Sequence, residues 1–540
     1  MDTITDQARA AVEAGDTTLG IEYGSTRIKA VLIDADHTTL ATGTFDWENS
    51  LVDGYWTYAE QELLDGLAAA YASLKADVRE CYGVVLQRVG ALGVSAMMHG
   101  YLPFDADGRL LVPFRTWRNT TTMRAASELS ELFEFHVPER WSVSHLYQAI
   151  LDGEEHVGRV ASFTTLAGYA HEKLCGEHVL SVGDASGMFP IDATTRAYDA
   201  DMIKKFDVLA AQRGMEWKVE DLLPRVLVAG EQAGTLSEAG ALLLDPSGDL
   251  AAGCPLCPPE GDAGTGMIAT NSVAPRTGNV SAGTSIFSMV VLDHPLADAT
   301  RPEIDLVTTP VGDPVAMVHC NNCTSDINDW VDLLCEFSHL MGADVNAGDA
   351  FTALFNSALA GDKDAGGLVS IPFVSGETVM GVQTGYPLMV RQQNARFSFA
   401  NFMRMHLMAA FGALAAGNEA LREEGVAIDK LYGHGGIFKT PKVAQSLLAA
   451  ALNAPVTVME TAGEGGAWGQ AVAAAYLLRR EKDESLADYL GNKVFSTMKG
   501  ATIEPDADDV AGYATFLLAF RRANEVEKAA ERSFAYYYDA

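Results

Sequence analysis

Asp262 stands between Gly261 and Ala263-Gly264 within Pro258–Ser285, which reads P-P-E-G-D-A-G-T-G-M-I-A-T-N-S-V-A-P-R-T-G-N-V-S-A-G-T-S. A carboxylate on a tight glycine-rich turn can act as a general base. Further along the same stretch, Gly283-Thr284-Ser285 separates two strand-like runs. Such a turn offers backbone N–H groups and hydroxyls to phosphate oxygens. Together the two turns predict phosphoryl transfer from a nucleotide to a hydroxyl. The plainer alternative for Asp262 is an ordinary turn, since Asp and Gly are common turn residues.

These residues need elements to hold them. Leu19–Tyr23 reads as a strand, Gly24-Ser25-Thr26 as a turn, and Arg27–Asp34 and His37–Phe45 as further strands. Val280–Ala282, Gly283-Thr284-Ser285 and Ile286–Asp293 repeat the pattern of strand, hydroxyl-rich hairpin and strand. The repeat suggests an internal duplication, with two similar lobes each presenting a phosphate-binding hairpin to a shared cleft. Between the copies, apolar spacing predicts a helix over Glu60–Val78, a strand over Val89–Ser95 ending in Met97-Met98-His99-Gly100-Tyr101, and a helix over Val160–Leu174. After them come helices over Asp326–Met341, Ala347–Leu359 and Phe397–Glu424, the methionines of the last reading as core. Leu431–Gly436 breaks a strand into a glycine-rich loop, with Thr440 as an N-cap and Pro441 opening a helix that runs to Leu452. Val456–Met459 is a short strand, and Ala467–Leu478 a helix that follows Gly463-Glu464-Gly465-Gly466. Glu464 reads as a charge favouring the start of that helix. The tail carries an amphipathic stretch ending near Arg532. Strands alternating with helices predict an α/β fold with mixed sheets, divided near residue 270.

The net charge of −34 over 540 residues argues against nucleic acid or an anionic membrane as partner. It also means that a triphosphate needs local screening, by Mg²⁺ or backbone dipoles. The opening M-D-T-I-T-D-Q has neither a basic nor an apolar region of a signal peptide, and no apolar run reaches transmembrane length. Seven cysteines fit a reducing compartment, so a cytoplasmic protein is expected. The pairs Cys254/Cys257 and Cys320/Cys323 lie too far apart for a zinc ribbon and read as buried free thiols.

With its segments placed, the chain resembles the FGGY carbohydrate kinases of the actin-like ATPase superfamily, over roughly residues 18–480. Six motifs in order carry the resemblance: Gly20–Lys29 (G-I-E-Y-G-S-T-R-I-K), Ser95–Gly100 (S-A-M-M-H-G), Gly261-Asp262-Ala263, Ser281–Ser285 (S-A-G-T-S), Pro372 with Gly376-Glu377-Thr378, and Gly435–Gln445 (G-G-I-F-K-T-P-K-V-A-Q). It implies two ribonuclease-H-like domains, α/β with mixed sheets flanked by helices, around a central cleft. Residues 1–270 would form the sugar-binding domain, and 271–540 the nucleotide-binding domain with a helical tail. There are departures. Glu22 stands where the family usually has Asp, Ala96-Met97 where Gly-Gln is usual, and Trp117-Arg118-Asn119 where W-x-D is common. Met408 stands where the C-terminal helix usually carries a glutamate.

On this reading Asp262 is the general base. Gly24, Ser25, Thr26 and Gly283, Thr284, Ser285 contact phosphates, and Lys29 adds a charge or is a surface lysine. Met98 and His99 touch the sugar, which Asp262 also contacts. Gly435 and Gly436 admit adenosine, with Lys439 either near the nucleotide or solvated. Glu22 holds Mg²⁺ through water. ATP and Mg²⁺ are the implied cofactors, a ketopentose of the xylulose or ribulose type the implied substrate, and a homodimer is left open. The alternatives are a nucleotide-dependent assembly or sensor protein on the same fold, and an inactive sugar-binding relative.

Overall fold

The computed structural model describes residues 2–459 and 465–538. Glu464, with its expected place at a helix start, lies outside the described residues. The chain divides into two compact units. The first comprises Met1–Val273, Leu306–Val315 and Gly463–Met498, and the second Ala274–Asp305, Ala316–Ala462 and Lys499–Ala540.

In the first unit, β1 (Thr18–Tyr23), β2 (Arg27–Ile33), β3 (Thr39–Asp46) and β4 (Ala91–Ala96) form the middle of a seven-stranded mixed sheet in the order β4-β1-β2-β3. β1 runs antiparallel to β2, with Glu22 opposite Lys29. It runs parallel to β4, with Glu22 opposite Ser95. Side chains alternate along a strand, and both faces of β1 are covered. Leu19, Ile21 and Tyr23 enter a core with Leu63, Leu67 and Leu74 of the Glu60–Tyr82 helix. Burying each such leucine contributes about 1.5–3 kcal/mol. The Tyr23 hydroxyl donates to the Leu63 carbonyl at 2.7 Å. On the other face lies the Gly465–Arg479 helix. It comes so close to Gly20 that a Cβ there would sit 2.1 Å from the Ala467 carbonyl oxygen. The segment from Gly465 to Met498 thus completes the first unit by packing, although it follows most of the second in sequence.

In the second unit, β5 (Thr277–Ala282) and β6 (Ile286–Val291) form an antiparallel hairpin. β7 (Lys430–His434) runs parallel to β5, with His434 opposite Ser281. The sheet continues through β8 (Val456–Met459) and β9 (Gly500–Ile503), giving the order β6-β5-β7-β8-β9 within seven strands. A hairpin with a parallel neighbour on its first strand recurs in both units, β4-β1-β2 and β7-β5-β6, and gives the repeat in the sequence its structural form.

Several expectations are corrected. Asp262 is not in a turn but opens the Asp262–Ala269 helix, with Gly261 at the N-cap. Val160–Leu174 is not one helix: Ser162–Thr164 is a strand, and Thr165 caps a helix over Leu166–Cys175 by accepting from the Gly168 N–H at 3.3 Å. The hydroxyl offers the backbone a helix start, which propensity alone does not locate. Phe397–Glu424 divides at Phe411 into helices Phe399–Ala410 and Gly412–Glu423. A Cβ on Gly412 would lie 2.6 Å from the Phe520 ring, so a long-range contact fixes that junction. Thr440 is not a cap. The helix begins at Val443 after Lys442, whose φ of 70° places it in the left-handed region.

Among the cysteines, Cys257, Cys320 and Cys323 are buried free thiols, and Cys254 is a partly buried one. Among the described residues, no helix is long and apolar enough to cross a membrane.

Candidate active site

The first unit gathers Glu22, Met98, His99 and Asp262. β4 ends at Ala96, and the Met97 N–H donates to the Tyr23 carbonyl at 3.0 Å. His99 and Gly100 then adopt φ of 70° and 94°, which turns the chain sharply. A non-glycine residue in this region is uncommon and carries strain. The strain is held by contacts around His99. Its Nδ1 lies 3.2 Å from the Gly187 carbonyl oxygen, which can only accept. A neutral His99 therefore carries its proton on Nδ1.

Asp262 meets the same loop. Its Oδ1 accepts from the Met98 N–H at 3.1 Å and from the Ala263 N–H at 2.9 Å. Oδ2 accepts neither bond. Solvent reaches the side chain, yet the surrounding protein removes enough water to raise the carboxyl above the ordinary aspartate range. The two N–H bonds oppose that rise, and the helix N-terminus also favours an anion.

Glu22 is partly buried, and its Oε2 accepts from the Ala467 N–H at 3.2 Å, capping the Gly465–Arg479 helix from a distant strand. Desolvation, and then the Asp262 charge, push its carboxyl up to about 7 against the opposing effects of Ala467 and Lys29. A Cβ on Gly466 would lie 2.1 Å from Glu22 Oε1 and 2.7 Å from Thr265 Oγ1. The longer side chain at position 22 thus has its room made by a glycine. Among the described residues, no group of three or more His, Cys, Asp or Glu could hold a metal. One hard carboxylate oxygen beside phosphates and water is a donor set that Mg²⁺ accepts, so Glu22 fits that ion.

The hairpin Gly24-Ser25-Thr26 is held from outside. The Trp47 indole donates to the Gly24 carbonyl at 2.8 Å, the Tyr58 hydroxyl to the Ser25 carbonyl at 2.6 Å, and the Trp47 N–H to the Thr26 carbonyl at 3.2 Å. The Trp47 and Tyr58 rings stack at 3.9 Å. Lys29 faces Glu22 across β1 and β2. In the W-R-N segment, Asn119 exchanges bonds of 2.8 and 2.9 Å with the Trp56 backbone. That is a structural use for a residue that departs from the family pattern.

The second unit gathers the other set. Gly283 and Thr284 are exposed, and their carbonyls accept from Thr324 and Cys323. That backing strand-end is held in turn by Glu377, whose Oε2 accepts from the Asn322 N–H at 3.2 Å and the Asn322 side-chain amide at 3.1 Å. Burial pushes Glu377 up to about 7. The G-E-T motif therefore braces the hairpin. Gly435, with φ of 118°, lies against β5: a Cβ there would sit 2.0 Å from the Ala282 carbonyl oxygen. Gly436 and Lys439 are exposed.

Sequence reasoning missed the Ser181–Met188 segment and Glu260. Gly187 orients His99, and a Cβ on it would lie 2.9 Å from Met98 Cε. Glu260, two residues before Asp262, is buried and accepts from the Ser181 hydroxyl. The small-residue run G-D-A-S-G at 183–187 was the available signal, marking a turn packed tightly against something.

Known proteins agree with this architecture. Residues 17–245 match the N-terminal domain, and 278–478 the C-terminal domain, of the FGGY family of carbohydrate kinases. The chain is 22% identical to the xylulose kinase of Haemophilus influenzae over 70% of its own length and 74% of that protein. It is 23% identical to the autoinducer-2 kinase of Escherichia coli K12, spanning about half of each (54%). The crystal structure of the xylulose kinase of Lactobacillus acidophilus superposes with a TM-score of 0.78, covering 96% of this chain and 99% of that one at 14% identity, a likeness of fold. The chain belongs to the FGGY family of carbohydrate kinases. It is an ATP-dependent sugar kinase, acting on a small sugar and ATP.

Proposed function

We propose that the enzyme transfers the γ-phosphoryl group of MgATP to a hydroxyl of a ketopentose of the xylulose or ribulose type. The observation that carries this reading is the Asp262 carboxylate held against the loop of Met98 and His99. Met98 donates its N–H to Asp262, while the next residue, His99, is oriented by the Gly187 carbonyl. The name of the Haemophilus relative, a xylulose kinase, favours a ketopentose.

Phosphoryl transfer needs an in-line hydroxyl, a group to take its proton, and compensation of phosphate charge. His99 would hydrogen-bond a sugar hydroxyl or carbonyl and Met98 would pack against the sugar. Asp262 Oδ2 would take the proton of the attacking hydroxyl. Gly24, Ser25 and Thr26, with Gly283, Thr284 and Ser285, would offer N–H groups and hydroxyls to phosphates, with Lys29 adding a charge. Gly435 and Gly436 would border the adenosine, with Lys439 nearby. Glu22 would hold Mg²⁺, which supplies neutralisation of phosphate charge. The cytoplasm, where sugar, ATP and Mg²⁺ are all supplied, suits this reading, as does a domain division into sugar-binding and nucleotide-binding halves.

The test is ADP release across ketopentoses, hexuloses and polyols, repeated with Asp262→Asn. Asn keeps an acceptor for both N–H groups, so the fold should survive. Loss of a general base costs roughly 10²–10⁴ in rate. A variant that turned over at more than about a tenth of the wild-type rate would place the base elsewhere. Stimulation by polyols alone would overturn the ketopentose assignment.

A further inference from the structure

Behind Asp262 lie two carboxyls with no part in the mechanism above. Asp184 is fully buried; its Oδ2 lies 2.6 Å from the Thr165 hydroxyl, and its Oδ1 has no hydrogen-bond partner among the described residues. A Cβ on Gly261 would come within 3.3 Å of that Oδ1 and 2.1 Å of Met98 Cγ, so Asp184 touches the backbone that carries the base. Glu260 is 2% exposed, with the Gly261 N–H on Oε1 at 2.9 Å, the Ser181 hydroxyl on Oε2 and the Asp184 backbone N–H also donating to the carboxyl. Glycines close around it. A Cβ on Gly183 would lie 2.4 Å from Oε1, and one on Gly264 would lie 2.7 Å from its carboxyl carbon. That packing leaves no room for a counter-ion on those sides.

We propose that Asp184 and Glu260 are positioning residues that hold protons behind Asp262, so that the negative charge of the three carboxyls stays on the one facing the sugar.

For Asp184 the missing donor carries the argument, and for Glu260 the glycine packing that excludes a counter-ion carries it. A buried carboxylate oxygen with no donor is costly, whereas the protonated acid is tolerated. Asp262 differs from its neighbours in receiving two N–H bonds at a helix N-terminus while open to solvent. The groups facing the pair are Asp262, the Cys257 thiol and the Tyr198 phenol, and none of these is a cation. Burial raises Asp184 well above the usual range, with the charges of Glu260 and Asp262 adding to it. Burial likewise brings Glu260 to about 7. Below that pH the pair is neutral and adds nothing to the repulsion met by a triphosphate. Above it, Glu260 ionises and sets a second charge beside the base.

This inference rests on Asp262 as the base. The experiment compares kcat of Glu260→Gln with that of the wild type between pH 6 and pH 8, at saturating sugar and MgATP. The amide stays neutral throughout, so the ratio of variant to wild type should rise about tenfold as the wild-type group titrates near 7. Taking a ratio removes titrations common to both proteins. A flat ratio overturns the proposal. Asp184→Asn, read in the same assay, should retain at least about a tenth of the rate, while Asp184→Ala should fall below it. An Asp184→Asn rate reduced 100-fold or more, roughly the cost of losing a working charge, also overturns it. Asp262→Asn is measured alongside. Full activity there sinks the base assignment and this inference together, whereas an inactive Asp262→Asn with a flat Glu260→Gln ratio sinks the inference alone.

Discussion

Gly466→Ala tests whether Glu22 and Gly466 fit each other. The added methyl would start 2.1 Å from Glu22 Oε1, and ordinary contact begins at 3.4 Å, so the carboxylate must withdraw by about 1.3 Å. Withdrawal breaks its 3.2 Å bond from the Ala467 N–H. Overpacking costs about 1–3 kcal/mol and loss of a helix cap about 0.5–2 kcal/mol, so Gly466→Ala should destabilise by about 2–4 kcal/mol. Glu22→Asp alone should cost about 1 kcal/mol, the cap bond. The two changes should compensate. Removing one methylene retracts the carboxylate by about 1.5 Å, slightly more than the added methyl demands. Thr265 Oγ1, 2.7 Å from the same methyl, remains crowded and leaves a residual cost. The double variant should therefore be more stable than the sum of the singles by about 1 kcal/mol or more. Calorimetric unfolding of the four proteins measures this, and the Mg²⁺ dependence of ADP release reports where the carboxylate has gone. Strict additivity would show that the two positions do not share space, and the reasoning fails.

His99→Ala should raise KM for the sugar about tenfold, the worth of one well-made hydrogen bond, while leaving the KM for ATP in place; an unchanged sugar KM removes His99 from the sugar site. Excess EDTA should abolish sugar-stimulated ADP release, and full turnover in its presence would remove Mg²⁺ from the reaction. Glu154 is opposed by its own partial burial, but hydrogen bonds from His156 and Arg115 outweigh this and hold it near 2. Its folded value lies below the unfolded one, so its stabilisation is present above about pH 4.5 and is lost as pH falls toward 2. Allowing for solvent screening, Glu154→Gln should remove about 2 kcal/mol at pH 7, and less at pH 3. An equal effect at both pH values contradicts the ion-pair account.

Where local pattern carried the information, the sequence was legible. β1, β2, β5 and β8 were anticipated to within a few residues, because alternating apolar residues bounded by Gly, Ser and Thr turns specify both element and register. The duplication followed from the same hairpins. The errors arose where distant groups decided the outcome. Nothing local in Phe397–Glu424 marks the junction at Gly412, which depends on the Phe520 ring. Thr440-Pro441 carried a good cap signal, but the N-cap falls two residues later, at Lys442. Asp262, Met98 and His99 were proposed from their motifs, and the structure brings them together. Asp184, Glu260, Gly187 and Gly466 were not, because each acts by filling or vacating space beside a residue remote in sequence.

The Gly465–Arg479 helix has a consequence for how the protein is made. It covers one face of β1 against Gly20, where the approach is too close for any side chain. As the chain leaves the ribosome, β1 and β2 emerge early, yet that face stays bare until most of the second unit has been synthesised. The first unit cannot close its fold during that interval. Its hairpin must wait for a strip of small residues near the far end of the message, and a nascent chain stalled before residue 465 would leave the Gly20 and Glu22 face of that sheet uncovered before the chaperones that attend it.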